Sequence, residues 1–363
     1  MSELDQFLNQ TSEWLRGSGP LSDIVISSRV RLARNFEKQP FATRATKASQ
    51  AEVLAIAKQG LVQCPILKQP VILEMGNLDE VDRQFLVERH LVSREHIVHA
   101  DHKAVAIGHG EVVSVMINEE DHLRLQVMQS GMNLQDAWEV INTLDDELSE
   151  VVPYAYSTDW GYLTCCPTNT GTGLRASVMV HLPSLVITKQ INKVLHTITK
   201  LGLTARGLFG EGTEASGNFF QISNQVSLGR SEEEIIENIA RILKEVVHQE
   251  QAAREGLLTN NKVQLEDRIW RAFGILRHAK TISSTEALDL LSAVRLGVDL
   301  SLMSANGGSA SGGNGGINRS VVNELFIFSQ PAHLQKLEGK PLSAKERDTK
   351  RAQLIRSRLG GQP

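Results

Sequence analysis

Two kinds of hydrophobic pattern follow one another along the chain, and the change comes late. Up to about residue 253, runs with apolar residues at every second position are interleaved with helical runs. Residues 23–35 carry Ile24, Ile26, Val30 and Leu32, with Arg29 and Arg31 between them, which predicts a strand. Residues 71–75, 111–117 and 219–226 read as further strands, and 45–63, 80–90, 134–150 and 183–201 as helices. Ser231 and Glu234 have capping-box spacing, and Ile235, Ile236, Ile239, Ile242, Leu243, Val246 and Val247 then share one helical face. Beyond residue 253 strand signals nearly vanish. Helical patterns cover 265–279, 284–296 and 323–329, and a second capping box, Ser343 with Glu346, opens a last basic helix.

This order predicts an α+β fold, an antiparallel sheet flanked by helices, followed by a small all-helical C-terminal domain. Few of the strands are separated by the length a parallel crossover needs. The expected organisation is an N-terminal arm over 1–22, docked by Phe7, Leu8, Trp14 and Leu15, then a catalytic domain over 23–253 and a helical domain over 254–363. A glycine-rich tract at 305–317 cannot bury a core and reads as a flexible exposed loop.

Composition narrows the class. A chain of 363 residues, 41% hydrophobic and 22% charged, is ordinary for a soluble protein. A net charge of −4 gives no global case for nucleic acid or membrane as a partner, so any basic site is local. No run approaches a membrane span, and the N-terminus lacks the basic start and apolar core of a signal peptide. Cys64, Cys165 and Cys166 are odd in number and two are adjacent, which suits a reduced, cytoplasmic protein.

The chemistry sits in four polar stretches. Arg29, Arg31, Arg124, Arg175 and Arg206 all occur in turn-rich or strand-end contexts. Five guanidinium forks can clamp a triphosphate bidentately, and phosphoryl transfer then needs Mg²⁺ and a nucleophile held in line. Glu119, Glu120, Glu211 and Glu214 are surplus to nucleotide binding, and their natural partner is a cation. A guanidinium is planar and always protonated, so carboxylates that align it and accept its departing proton would make it a nucleophile. A thiolate beside it would add negative charge. Covalent attack by cysteine is the competing idea and wants a histidine base, which the sequence does not place. His96, His99 and His102 recur at spacing three without a clear partner set, so no metal site from protein ligands alone is expected. Each stretch alone reads as an ordinary solvated loop or edge.

Together they carry a resemblance. Ser27-Ser28-Arg29-Val30-Arg31, Asn118-Glu119-Glu120-Asp121-His122-Leu123-Arg124, Cys166 through Arg175-Ala176-Ser177, and Arg206-Gly207 through Glu211 and Glu214, in this order, resemble the catalytic half of the phosphagen (guanidino) kinases. The resemblance implies ATP binding by Ser27, Ser28, Arg29, Val30 and Arg31, by His90 and Arg124, by Arg175, Ala176, Ser177, Val178 and Met179, and by Arg206, Gly207, Leu208, Phe209, Gly210 and Glu211. It implies Cys166 as the thiol on the substrate side. It also implies that Glu120, with Glu211 or Glu214, acts on the guanidinium.

Two departures refine it. Those kinases place a helical domain ahead of the first arginine strand, whereas 22 residues precede Asp23 here. They also have an arginine where this chain has Phe209, three residues after Arg206. A C-terminal helical domain carrying Arg347-Asp348-Thr349-Lys350-Arg351-Ala352 is similar to the McsB family of bacterial protein arginine kinases over essentially the full chain. In that family this motif binds phosphoarginine. Arg347 and Arg351, four apart on one helical face, suit a bidentate phosphate receptor.

The resemblance implies transfer from ATP, with Mg²⁺, to arginines of proteins. It also implies marking of those proteins for a Clp ATPase and protease in stress, a zinc-binding activator and a homo-oligomer. A kinase of free arginine or another small guanidino compound is the alternative within the class. A non-catalytic phosphoarginine-binding adaptor is the alternative outside it.

Overall fold

The structure, a computed structural model, describes residues 4–207, 216–303 and 317–361. Ten strands occur among them: β1 Val25–Arg34, β2 Val71–Glu74, β3 Ala104–Ile107, β4 Val113–Ile117, β5 Leu123–Ser130, β6 Tyr156–Ser157, β7 Gly161–Tyr162, β8 Leu174–His181, β9 Leu203–Gly207 and β10 Phe219–Asn224. Eight form one sheet in the order β2-β3-β4-β5-β1-β8-β10-β9, antiparallel at every pairing. The strands β6 and β7 make a separate hairpin.

Alternation splits the sheet into two faces. Val30, Leu32, Leu125, Val127, Leu174, Ala176, Val178 and Ile222 lie on one face, in a core completed by the helices Lys47–Gln63, Leu134–Val151 and Glu232–Asn260. On the other face, Val105, Ile107 and Met116 pack under the helix Glu80–Glu88 and the N-terminal Leu4 and Phe7. Further along that face, Ile26, Met128, Met179 and Phe219 meet Trp14, Leu15 and the C-terminal helices. The arginines occupy the strip left between these coverings.

The C-terminal helices are Lys262–His278, Ser284–Asp299, Arg319–Phe328, Pro331–Glu338 and Ala344–Arg358. They dock through apolar and polar contacts. The Phe219 ring meets Phe326 edge to face at 4.6 Å and lies 4.8 Å from His181. The buried Arg295 donates to His181 Nδ1 at 3.0 Å, to Ser22 O at 2.7 Å and to Asn323 Oδ1 at 3.0 Å. Glu88, at the end of its helix, accepts from Ala332 N and His333 N, both at 2.9 Å, and so caps the helix Pro331–Glu338.

Both capping boxes form as read. Two expectations change. The helix predicted over 183–201 is two helices, Pro183–Ile187 and Ile191–Lys200, because Lys189 takes a left-handed φ of 57°. Lysine rarely marks such a stop, so the sequence does not announce it. The strict alternation read through Ile24 and Ile26 into β1 also breaks. A register shift between Val25 and Ser27 turns Ile26 onto the arginine face, against the C-terminal helices. Among the described residues no helix is long and apolar enough to cross a membrane.

His96, His181 and His333 are fully buried. His96 donates Nε2–H to Ala104 O at 3.0 Å, His181 bridges Arg295 and Ser292, and His333 lies 4.5 Å from Phe328 and 5.1 Å from Phe85, ring to ring. Burial drives all three below the ordinary value, His96 to about 4 and His333 to about 3. Such a residue contributes its full stability above its unfolded value near 6.5 and loses it as pH falls toward its folded value. Replacing His333→Phe should therefore remove about 2 kcal/mol of the stability that the wild type loses between pH 7 and pH 5, at roughly 1.4 kcal/mol per pH unit below 6.5. Urea unfolding at the two pH values measures this, and an unchanged difference would contradict it.

Candidate active site

Cross-strand partners share a face, so the register alone assembles the site. Arg31 lies opposite Arg175 on β8 and Gln126 on β5, and Arg29 lies opposite Ser177. Gln221 on β10 lies opposite Arg206 on β9. Arg124 follows from β5, opposite Ala33. The result is a cleft of about 280 Å³ lined by Arg29, Arg31, Arg124, Arg175 and Arg206, together with Glu120, Cys166, Thr168, Asn169, Gly173, Gln221 and Ser223. All five arginines singled out in the sequence therefore meet in one place, with the carboxylate of Glu120 and the thiol of Cys166.

The cluster works against itself. Burial, then the charges of Arg175 and Arg124, lowers the Arg29 guanidinium to about 10. Burial, then the neighbouring Arg29, Arg124 and Arg175, also holds Arg31 well below the usual guanidinium range. Arg31 Nε is buried and has no hydrogen-bond partner. Ser177 Oγ accepts from Arg29 Nε at 3.3 Å and from Gln221 Nε2 at 2.9 Å, which fixes Arg29 without neutralising it.

Arg124 has carboxylate partners here, Glu119 at 2.8 Å and the exposed Glu120 at 3.2 Å. Burial alone would raise Glu119, but Arg124, the Ser93 hydroxyl and the Glu120 N–H outweigh it and hold it below the ordinary value. Glu120 goes the other way. Its partial burial raises it, helped by Asp121 and Glu119 and opposed by Arg124. Two adjacent glutamates thus take different parts: Glu119 anchors Arg124, and Glu120 faces the cleft with a raised proton affinity.

The loop carrying Cys166 is fixed from below. The fully buried Asp121 accepts from Asn35 Nδ2 and from Cys165 N, both at 2.7 Å. Thr164 Oγ1 donates to Cys166 O at 2.7 Å, and Ser227 Oγ donates to Thr168 O at 3.0 Å. Cys166 Sγ lies 3.0 Å from Thr168 Oγ1. Gly173, at φ 68°, would put a Cβ within 2.7 Å of Ala33 O, so the turn into β8 requires glycine. Cys165 points elsewhere, to Thr43.

His90 belongs to a second cavity of about 700 Å³, which shares Arg29 and Gln221 with the first. Its other walls include Val87, Arg94, Ser284, Leu288 and Pro331, so the C-terminal domain closes one side. Burial, then Arg29 and Arg94, lowers His90 to about 4, so it is neutral at physiological pH. Trp14 of the N-terminal arm meets its ring edge to face at 5.3 Å.

The remaining sequence-predicted residues fall into three groups. Val30, Ala176 and Val178 point into the opposite core, Met179 packs on the C-terminal helices, and Ser27 and Ser28 are buried, with Ser28 bonded to Gly131 O. Leu208, Phe209, Gly210, Glu211 and Glu214 lie outside the described residues, beyond Gly207 at the end of β9. In the C-terminal motif, Arg347 donates to Leu342 O at 2.9 Å, Asp348 accepts from Arg351 at 2.6 Å, and Lys350 pairs with Glu338. Arg351 is buried and donates to Ser329 O and Ile282 O, both at 2.8 Å, which anchors its fork; Thr349 is exposed and Ala352 buried. Sequence reasoning missed Gln221, Ser223 and Arg94. The polar parity of Gln221 and Ser223 along β10 was the available signal; nothing local marked Arg94.

Comparison with known proteins places this geometry. Residues 62–253 match the family profile of the ATP:guanido phosphotransferase C-terminal catalytic domain, and 262–363 that of the protein-arginine kinase McsB C-terminal domain. The chain is 48% identical over 364 residues to a protein-arginine kinase of Halothermothrix orenii, covering 99% of each. It is 46% identical to one of Desulforamulus reducens, covering 99% of this chain and 98% of that one. Among solved structures, lombricine kinase superposes with a TM-score of 0.59 at 25% identity, covering 68% of this chain and 74% of that one. A duplicated taurocyamine kinase from Schistosoma mansoni with bound transition-state-analogue components superposes at 0.60 and 26%, covering 65% and 34%.

Arg31→Ala should weaken ATP binding by roughly 10- to 100-fold, the worth of one charge-assisted contact. The ligand-free protein should keep or gain thermal stability, because a repelling charge is gone. Calorimetric titration with ATP and thermal unfolding without it read the two effects. Unchanged ATP affinity would remove Arg31 from the site.

Proposed function

The chain belongs to the protein-arginine kinase family, and from that premise we propose how its cleft moves the γ-phosphoryl group of ATP onto an arginine of a protein. One observation carries the reading: five guanidinium groups, one carboxylate of raised proton affinity and one thiol line a single cleft.

The arginine strip binds the phosphates and spreads the charge of the transferring group over fixed donors. The cavity that holds His90 takes the base and ribose, with the C-terminal domain as its far wall. The substrate arginine enters from the side of Glu120 and Cys166. Glu120 aligns the guanidinium and takes its proton as a guanidinium nitrogen bonds to the γ-phosphorus and the bond to the bridging oxygen of ADP breaks. Glu211 or Glu214 supplies a second carboxylate, from the segment between Gly207 and Ser216. Cys166 polarises and positions the guanidinium and forms no covalent bond to it.

The protein oxygens in the cleft suit Mg²⁺ that arrives on the phosphates, since Glu120, the one carboxylate among the described lining, is tied to Arg124. When bound, Mg²⁺ neutralises phosphate charge. Arg347 and Asp348 are proposed to take phosphoarginine, with Arg351 as the anchored base of that receptor. A Clp-type ATPase and protease that reads the product, a zinc-binding activator and self-association are partners implied by the family resemblance.

Glu120→Gln should lower turnover on an arginine-containing protein by roughly 10²- to 10⁴-fold, the usual worth of a general base, while ATP affinity holds. Because the base must be ionised, activity falls as pH drops through its pKa, which is raised above the ordinary 4.5. The acid limb of kcat/KM should therefore lie above pH 4.5 and be absent from the variant. Mass spectrometry of acid-labile phosphate on arginine gives the readout. Wild-type turnover in the variant would dismiss Glu120 as the base, and transfer to free arginine as efficient as to protein would favour a small-guanidine kinase.

A further inference from the structure

A second recess lies behind the Cys166 loop. It is framed by the β6–β7 hairpin and the start of the helix Glu232–Asn260, and its aromatic walls include Tyr156 and Trp160, with Asp159 and Glu232 beside them. Tyr156 and Trp160 are 59% and 58% exposed, so the recess presents two large aromatic side chains to solvent. The phosphoryl-transfer chemistry uses none of these residues.

Three observations say what the recess would hold. The first is its relation to the cleft. The loop from Cys166 to Gly173 separates the two: Cys166, Thr168, Asn169 and Gly173 line the cleft, while Gly171 and Thr172 line the recess. Ser227 clamps that loop from the recess side, through Thr168 O and Thr170 O. A polypeptide with one arginine in the cleft has its neighbouring residues over this loop, since an extended chain advances only about 3.3 Å per residue.

The second is charge. Asp159 and Glu232 stand at the recess, and among the described residues no ion pair engages either. One base, Arg230, is also in the lining.

The third is that the aromatic ladder already holds a guanidinium. The Arg34 fork, paired with Asp145, lies 3.5 Å over the Tyr162 ring from the buried side. The Tyr156 ring meets Tyr162 edge to face at 5.3 Å on the way to solvent. The ladder therefore ends in the exposed Tyr156 ring, of the type that binds Lys and Arg by cation–π attraction.

We propose that this recess is a docking subsite for the protein substrate, holding a basic side chain a few residues from the target arginine between Tyr156, Trp160, Asp159 and Glu232. The inference rests on the protein-arginine kinase reading and adds a substrate preference to it: arginines flanked by other basic residues are taken first. A small free guanidine cannot reach the recess and the cleft together, so the subsite acts only on polypeptides.

Two synthetic peptides test it, each with one acceptor arginine. One has lysines at two to five residues on both sides, and the other has glutamines there. The wild type should show a KM about tenfold lower for the lysine peptide, as expected from one cation–π contact and one ion pair acting together. Trp160→Ala with Asp159→Asn should erase that difference while kcat and the KM for ATP stay at wild-type values. Both positions are on the surface, so folding is not at stake. No preference in the wild type, or a preference that survives in the double variant, would overturn the proposal. Wild-type enzyme that transfers to neither peptide would instead overturn the protein-kinase reading beneath it.

Discussion

Like charges on one strip of sheet are the constraint around which this molecule is arranged. Two guanidiniums about 8 Å apart at an effective dielectric near 20 repel by roughly 2 kcal/mol, and five of them share the cleft. Within the strip, Arg124 is paired with Glu119 and Glu120. The opposing forces lie elsewhere. They are the ladder bonds of β5, β1, β8, β10 and β9, and the apolar face behind them, where Val30, Leu32, Ala176 and Val178 are fully or almost fully buried. The residues between the arginines thus supply much of the stability that holds the arginines side by side. In the proposed reaction a polyanion relieves the strip on binding, and the donors need not reorganise when charge shifts during transfer.

The second constraint is that the cavity proposed for the nucleotide is finished by another domain. The helix end that carries Glu88 and the turn that carries His90 are attached on both sides. Glu88 caps the helix Pro331–Glu338, and Arg89 is buried in a pair with Glu111, bonded also to Ser12 of the N-terminal arm. Burial raises Glu88 to about 7, against those two N–H bonds and the charges of Arg351 and Arg347. The proposed phosphoarginine receptor and the His90 loop therefore meet across one buried carboxylate. The arm, the sheet and the C-terminal helices form a single support for the site.

Much of this was legible from sequence because period-2 alternation fixes faces. Arg29 and Arg31 share a parity with the site face of β1, and the four motifs in order carried the family resemblance. What sequence could not give was register. Glu119 and Glu120 look equivalent as residues, and only the Ser93 hydroxyl and the position of Arg124 divide their parts. The bulge at Val25–Ser27 reverses Ile26 without any glycine to announce it. Arg347 and Arg351 read as twin phosphate ligands by spacing. Tertiary contacts from Ser329 and Ile282 turn Arg351 into an anchored residue. The aromatic recess left no pattern at all, because Tyr156 and Trp160 sit in a hairpin too short to show alternation.

Thermal unfolding of the wild-type protein against rising MgATP at low ionic strength tests the central claim most directly. If the strip is a strained anion site, the melting temperature rises by several degrees, following about 2.7 kcal/mol of linkage at a hundredfold excess over Kd. The rise should shrink with added salt. A melting temperature that does not respond to MgATP, or that responds equally to the same ionic strength of a chloride salt, would contradict the account.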